Sequence, residues 1–435
     1  MRVLLLSNGH GEDLSGALLA AQLITQGVSV VAMPLVGHGE PYRQRNVPLV
    51  GKTHAISTGG LGYTSMRGQL LEVWEGQLVH LARQVIELWR RRRQFDLVVA
   101  VGDVVPIVGA WLTGRPAAVY LVAYSSHYEG QLRLPWPCGW LLRRGRVRAV
   151  WSRDALTAMD LSQQLGREVR FVGNPFFDMA PPGQPARPKG PSQTLALLPG
   201  SRLPEALRNL ALMLQMVGHL DARLASAEGL QIKAALVGAL NAENLAPMAH
   251  SLGWQLNAAG SAMGRGPWRI ALVWGGFGEI LASSDLVLSM AGTATEQAVG
   301  LALPVLQLAG DGPQFTAGFA EAQRRLLGDG LFWAPGPTGS HATLAQTARL
   351  AGDLLARLRD PERSKPLRER LEELAQERIG PPGGSQRMAA AIIAATTRAA
   401  ATRAAPTHTA TTRAAQRSTA SMASQHPPSP DGNHG

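Results

Sequence analysis

The chain has 435 residues and a formal net charge of +11 at pH 7. That length allows two α/β domains and a tail, and a single cysteine, Cys138, excludes a disulfide framework or cysteine-rich metal site and fits a reducing compartment. No run reaches the roughly 18 apolar residues of a membrane span, and "MRVLLLSNGHG" is too briefly apolar for a signal peptide, so a cytoplasmic chain is expected.

In chain order, the apolar residues 3–6 read as a buried strand followed by "SNGHGEDLSGALLA", a glycine turn opening an amphipathic helix. Its glycines, 9, 11 and 16, do not follow the G-x-G-x-x-G spacing, and Glu12 and Asp13 already satisfy the helix dipole that a phosphate would need. The turn therefore reads as the acceptor wall of a cleft, with the His10 imidazole at its mouth as a candidate base. Further strands are expected at 28–33, 96–101, 117–123, 148–151 and 170–172, separated by helical patterns. The longest of these, 66–93, carries Leu70, Trp74, Leu78, Leu81, Val85 and Leu88 on one face.

The basic clusters "WRRRRQ" (89–94) and "RLPWPCGWLLRRGRVR" (133–148) interleave Arg with Trp and Leu. That composition suits peripheral contact with an anionic membrane surface, and equally a solvated basic face with packed tryptophans. No RRM, zinc-finger or helix-turn-helix signature points to nucleic acid.

The stretch "APPGQPARPKGPSQ", 180–193, cannot continue a helix or central strand and reads as a linker between an N-terminal domain (1–179) and a C-terminal one (194–385). Strands then fall near 194–198, 232–237, 270–273, 286–289 and 305–308, with helices from Pro204, Thr293, Gln314, Ala342 and Pro361. Residues 386–435 hold the end of the last helix and an Ala/Thr/Arg/Ser/Pro tail with "TRAA" at 397, 402 and 412, a composition expected to be disordered.

Two turns of the second domain look like anion sites. In "LALLPGSRLPE" a strand runs into Gly200, Ser201 and Arg202 before a helix whose first turn tolerates Pro204, so backbone amides, a hydroxyl and a guanidinium converge on one point. In "LVLSMAGTATEQAVGLALPVLQL" a strand meets Ala291 and Gly292, then a helix for which Thr293 or Thr295 could serve as N-cap, with Glu296 and Gln297 in reach of a ribose.

"LALLPGSR", "FVGNPFFD", "AGTATEQAVGLALPV" and the opening "SNGHGEDLSGALLAAQL" resemble the motifs of lipid-A-disaccharide synthase, in order over about residues 2–308. "GDGPQFTAGFAEAQ" is more similar to the UDP-N-acetylglucosamine transferase of lipid II synthesis. The resemblance implies a divergent GT-B glycosyltransferase: two Rossmann-like domains facing a cleft, nucleotide-sugar in the C-terminal one, acceptor in the N-terminal one. It implies that Ser201 and Arg202 hold the donor diphosphate, Gly292, Thr293 and Thr295 the α- and β-phosphates, and Gln314 the sugar hydroxyls. Where the family has a Glu for the ribose, this chain has Gln297, with Glu296 one place earlier. The family's catalytic Asp follows the strand similar to "LVVAVGDVVPIVG", where Asp103 is the carboxylate present; His10 and His127, in "AYSSHYEG", are the other candidate bases. Inverting displacement needs such a base and no metal or other cofactor. The expected activity is sugar transfer, with an N-acetylglucosamine-like unit, from a UDP-sugar to a lipid-linked acceptor; the alternatives are a UDP-sugar 2-epimerase and a degenerate lipid- or partner-binding module.

Overall fold

Strands apolar at every position survive only where both sheet faces are covered, and this chain uses them twice. The computed structural model describes residues 1–51, 77–128, 130–179, 192–225, 229–312 and 315–404. The first sheet contains β1 (Arg2–Ser7), β2 (Ser29–Pro34), β3 (Leu97–Val101), β4 (Ala117–Leu121) and β5 (Val147–Ser152), all parallel in the order β2-β1-β3-β4-β5. The second contains β6 (Gln193–Leu198), β7 (Leu230–Leu236), β8 (Gln255–Leu256), β9 (Ala262–Arg265), β10 (Trp268–Trp274), β11 (Leu286–Ser289), β12 (Val305–Gln307) and β13 (Leu331–Trp333). Its order is β13-β12-β11-β6-β7-β10-β9-β8, parallel except for the β10-β9-β8 meander at one edge.

The order of each sheet fixes where a ligand can enter. The first sheet starts at β1, adds β2 on one side and β3 on the other; the second starts at β6, adds β7 and β10 on one side and β11 on the other. Crevices therefore open beyond the carboxyl ends of the β1/β3 and β6/β11 pairs, the topological switch points of doubly wound sheets. Ser7 pairs with Val101 and Leu198 with Ser289, so the turns at 8–9, 102–103, 199–202 and 290–292 line these two crevices.

Several expectations change. The strand expected at 170–172 is only a bridge from Arg170 to Trp151, because the chain turns away at Gly173 (φ +88°). β8, β9 and β13 were not anticipated: the first two pair at an edge and the last is a three-residue strand. The long amphipathic helix is described over Gln77–Arg91, with Leu88 in the core; Leu70 and Trp74 lie outside the described residues. So do 180–191 of the expected linker and 405–435 of the tail, while the helix Gly384–Ala404 extends beyond the compact unit Met1–Ala390. Cys138 is fully buried, and burial pushes its thiol up to about 12, the state of an inert packing residue.

"FVGNPFFD" is a clasp between distant segments. The Asn174 backbone and side-chain amides both donate to the Ile379 carbonyl, at 3.0 and 3.2 Å, and its Nδ2 also donates to Arg153 O. Asp178 accepts the amides of Gly383, Gly384 and Ser385 at 2.5, 3.0 and 2.8 Å, filling the N-terminus of the helix Gly384–Ala404.

The opening turn is built around Tyr42, which is fully buried. Ser7 Oγ donates to Asp13 Oδ1 at 2.6 Å and lies 2.8 Å from the Tyr42 hydroxyl. Gly16 faces the same hydroxyl, and a Cβ there would collide with it. Gly16→Ala should therefore destabilise the protein by about 1–3 kcal/mol, the usual cost of overpacking; an unchanged urea midpoint would show that Tyr42 can move aside.

Candidate active site

The helices on the two sides of the cleft treat their N-termini differently. On the first side Asp103 caps the helix Val104–Leu112 by accepting from Val105 N at 2.8 Å, and Asp154 caps Ala155–Leu165 by accepting from Thr157 N at 2.7 Å. The helix His10–Thr25 carries Glu12 and Asp13 in its first turn. On the second side the helices Glu205–Val217 and Thr293–Gly300 start at Pro204 and Gly292 with no side-chain cap. The expected Thr cap is thus corrected: Gly292 holds the N-cap position, and the buried Thr295 hydroxyl bonds Ala291 O at 2.7 Å and Ser289 Oγ at 2.6 Å. Asp103 and Asp154 thus fill their helix ends, while the helices His10–Thr25, Glu205–Val217 and Thr293–Gly300 all begin without a side-chain cap, the last two with Glu205 and Glu296 in their first turns.

Gly200 (φ +101°) occupies a conformation that glycine alone adopts freely, and a Cβ there would stand 3.4 Å from Met290 O. Ser201 is exposed and Arg202 half-buried, and neither side chain has a partner among the described residues. Asn209 joins the two turns, donating to Pro199 O at 2.9 Å and Met290 O at 3.4 Å. Sequence reading missed it, although a polar residue among Ala206, Leu210 and Met213 on a buried face was a signal.

The two crevices open onto each other. A Cβ built on Gly11 would lie 3.9 Å from Thr293 Oγ1. Behind them Arg153 donates to Glu296 Oε2 at 2.6 Å and to Val122 O at 3.1 Å. Burial works against the Arg153 charge, but the Glu296 carboxylate, with Tyr128, Tyr120 and Asp154 adding to it, outweighs that cost and keeps the guanidinium protonated. Gln297 donates to Phe176 O at 2.9 Å, so Glu296 and Gln297 both have partners across the cleft in this arrangement. Gln314 lies outside the described residues.

His10 is the first residue of its helix. Glu12, also missed as a site residue, packs against Gly9 and Gly102; burial raises its pKa, with the neighbouring Asp103 and Glu296 charges adding to the rise and Arg153 opposing it. Asp103 is partly exposed one residue away from Gly102. His127 Nε2 stands 3.6 Å from Asp154 Oδ1; its pKa is lowered, first by burial, against the pull of Asp154. Asp154 is itself fully buried and accepts from Ser125 Oγ at 2.7 Å. Among the described residues no group of three His, Cys, Asp or Glu side chains is placed to hold a metal ion.

Two open switch-point crevices in facing Rossmann-like sheets define the GT-B fold, and the chain has it. No family model matches the sequence. A lipid-A-disaccharide synthase of Syntrophus aciditrophicus (strain SB) is 26% identical over 287 residues, covering 60% of this chain and 67% of that one. The calicheamicin glycosyltransferase CalG4 superposes with a TM-score of 0.57 at 16% identity, over 93% of this chain and 100% of its own. A UDP-N-acetylglucosamine 2-epimerase from Neisseria meningitidis, bound to UDP-GlcNAc, gives 0.50 at 14% identity, over 91% and 100%. The fold is thus shared by a glycosyltransferase and an epimerase, and the sequence similarity is to a lipid-A-disaccharide synthase.

Burial raises the Asp13 carboxyl to about 7, against the Ser7 hydrogen bond, with Glu12 adding to the rise. Below about pH 4 folded and unfolded chains both hold this proton, and between there and about pH 7 only the folded chain does, so the stability it contributes fades as pH rises. Asp13→Asn, which cannot ionise, should gain on the wild type by up to roughly 4 kcal/mol across that window. Urea unfolding at both ends of the window checks this, and a constant difference between the two proteins would refute it.

Proposed function

We propose that the protein is an inverting glycosyltransferase that moves a sugar, N-acetylglucosamine or a relative, from a UDP-sugar to a hydroxyl of a lipid-linked or amphiphilic acceptor. The observation that carries this reading is the pairing of an open, uncapped anion crevice with a carboxylate-rich one across a single cleft. Residues 194–385 form the donor domain, with the diphosphate at Gly200, Ser201, Arg202, Gly292 and Thr293; residues 1–179 form the acceptor domain. Two helix N-termini and the Arg202 guanidinium stabilise the departing diphosphate without a metal.

Asp103 is the proposed base, with one carboxylate oxygen capping Val105 and the other left for the acceptor proton. Glu12, whose pKa burial raises, packs beside it against Gly102. His10 and His127 are the alternative candidate bases. In calorimetry the wild type should bind UDP, and Ser201→Ala/Arg202→Ala should weaken binding by about 10- to 100-fold. Asp103→Asn should lower kcat by roughly 100-fold or more while leaving UDP affinity intact. No UDP binding by the wild type would overturn the reading, and turnover of UDP-sugar alone, without acceptor, would favour the epimerase.

The acceptor's lipid would be met at an anionic membrane face. The helices Gln77–Arg91, Val104–Leu112 and Cys138–Leu142 pack side by side. On them or beside them Arg92 covers Trp89 at 4.1 Å, Arg144 covers Trp140 at 4.1 Å, and Arg146 covers Trp111 at 3.5 Å. Trp136 is 89% exposed. Such a large amphipathic side chain beside cations suits the headgroup layer. No described helix is long and apolar enough to cross a membrane. Trp136→Ser/Trp140→Ser should reduce sedimentation with phosphatidylglycerol vesicles several-fold, each buried aromatic contributing about 1 kcal/mol or more, and equal sedimentation of both proteins would remove the membrane from the proposal.

A further inference from the structure

The turn at 291–293 is held from behind by a chain of side chains that runs to Arg324 and Trp333. Gln323, in the helix Ala317–Leu327, donates from Nε2 to Ala291 O at 3.1 Å and Gly292 O at 3.2 Å. Its Oε1 accepts from Gln307 Nε2 at 2.7 Å, and Gln307 Oε1 accepts from Arg324 Nη1 at 3.0 Å. Both glutamines are buried, with exposures of 4% and 2%. The Arg324 guanidinium lies 4.1 Å over the Trp333 ring, and these two side chains stand between an open groove of about 700 Å³ and a pocket of about 250 Å³.

A glutamine amide can turn end for end with almost no change in shape, so something must fix which end faces the turn. Arginine can do so because it has donors only. Arg324 requires Gln307 to present its oxygen, which leaves Gln307 nitrogen for Gln323 oxygen, and Gln323 nitrogen for the turn. Reversal of the chain would set Gln323 oxygen against two carbonyl oxygens in a buried site. In a trans peptide the amide hydrogen points opposite to the preceding carbonyl. Gln323, together with Thr295 Oγ1 on Ala291 O and Thr295 N on Gly292 O, ties both carbonyls inward and therefore turns the Gly292 and Thr293 N–H groups outward.

We propose that Gln323, Gln307 and Arg324 are positioning residues for the donor phosphate, with Arg324 setting the polarity of a hydrogen-bond relay that aims the amides of Gly292 and Thr293. This inference rests on the reading of that turn as the donor site. It assigns the relay no contact with the nucleotide, so it acts on affinity through the turn alone.

The test is calorimetric titration with UDP, alongside thermal melting, of the wild type and of Arg324→Met, Arg324→Lys and Gln323→Met. Arg324→Met and Gln323→Met should each weaken UDP binding about tenfold, the effect of one misdirected hydrogen bond. Arg324→Lys, which keeps a donor-only cation, should recover most of that loss, whereas a role in packing against Trp333 would not be rescued. Equal UDP affinity in wild type and both Met variants would overturn the relay alone, as would a loss in Arg324→Lys as large as in Arg324→Met. A wild type that fails to bind UDP would overturn the donor-site reading, and the relay with it.

Discussion

Arg153 and Glu296 are 143 residues apart in sequence and meet at 2.6 Å with both side chains largely shielded from water. Desolvation makes such a pair weak evidence for stability, since the cost of stripping two charges rivals their attraction. What it does supply is a geometric demand. Neither charge tolerates a different partner, so the start of the helix Thr293–Gly300 is held against the end of β5, where Arg153 follows Ser152. Asn174 bonds the Arg153 carbonyl and Gln297 bonds the Phe176 carbonyl, so the same contact is buttressed from both sides. The proximity of Gly11 to Thr293 across the cleft follows from it.

The elements most visible in the sequence are those whose cause is local. β1, β3, β4 and β6 are runs of apolar residues buried on both faces, and Gly200 marks a turn because its backbone requires positive φ. The elements that escaped depend on partners elsewhere in the chain. β13 is three residues long and exists because β12 offers it an edge, while 170–172 has strand composition but only one bridge to pair with. Thr295 looked like a cap or phosphate ligand because its hydroxyl precedes a helix in small-residue surroundings; which way it points depends on Ser289 and the Ala291 carbonyl.

Glu12 shows the same limit in electrostatic terms. A carboxylate in the first turn of a helix reads as solvated and dipole-stabilised. Packing against Gly9 and Gly102 instead buries it beside Asp103, so a residue that seemed to close the site to phosphate becomes a titrating neighbour of the proposed base. No pattern within "SNGHGEDLSGALLA" encodes that, because Gly102 and Asp103 come from the next switch-point strand, some 90 residues downstream.

The division of labour between the two sheets follows from how their helices begin. Every helix start has amides without internal partners, and a protein fills them with side chains, water or ligand. On one side Asp103 and Asp154 cap their helices with their own carboxylates. On the other, Pro204 and Gly292 place no side-chain acceptor at the helix ends, and the carbonyls of the second turn are drawn away by Asn209, Gln323 and Thr295. The two sheets share a topology, yet a diphosphate has a favourable place in only one of them. Under the proposed reading, the acceptor hydroxyl lies against the other, beside Asp103.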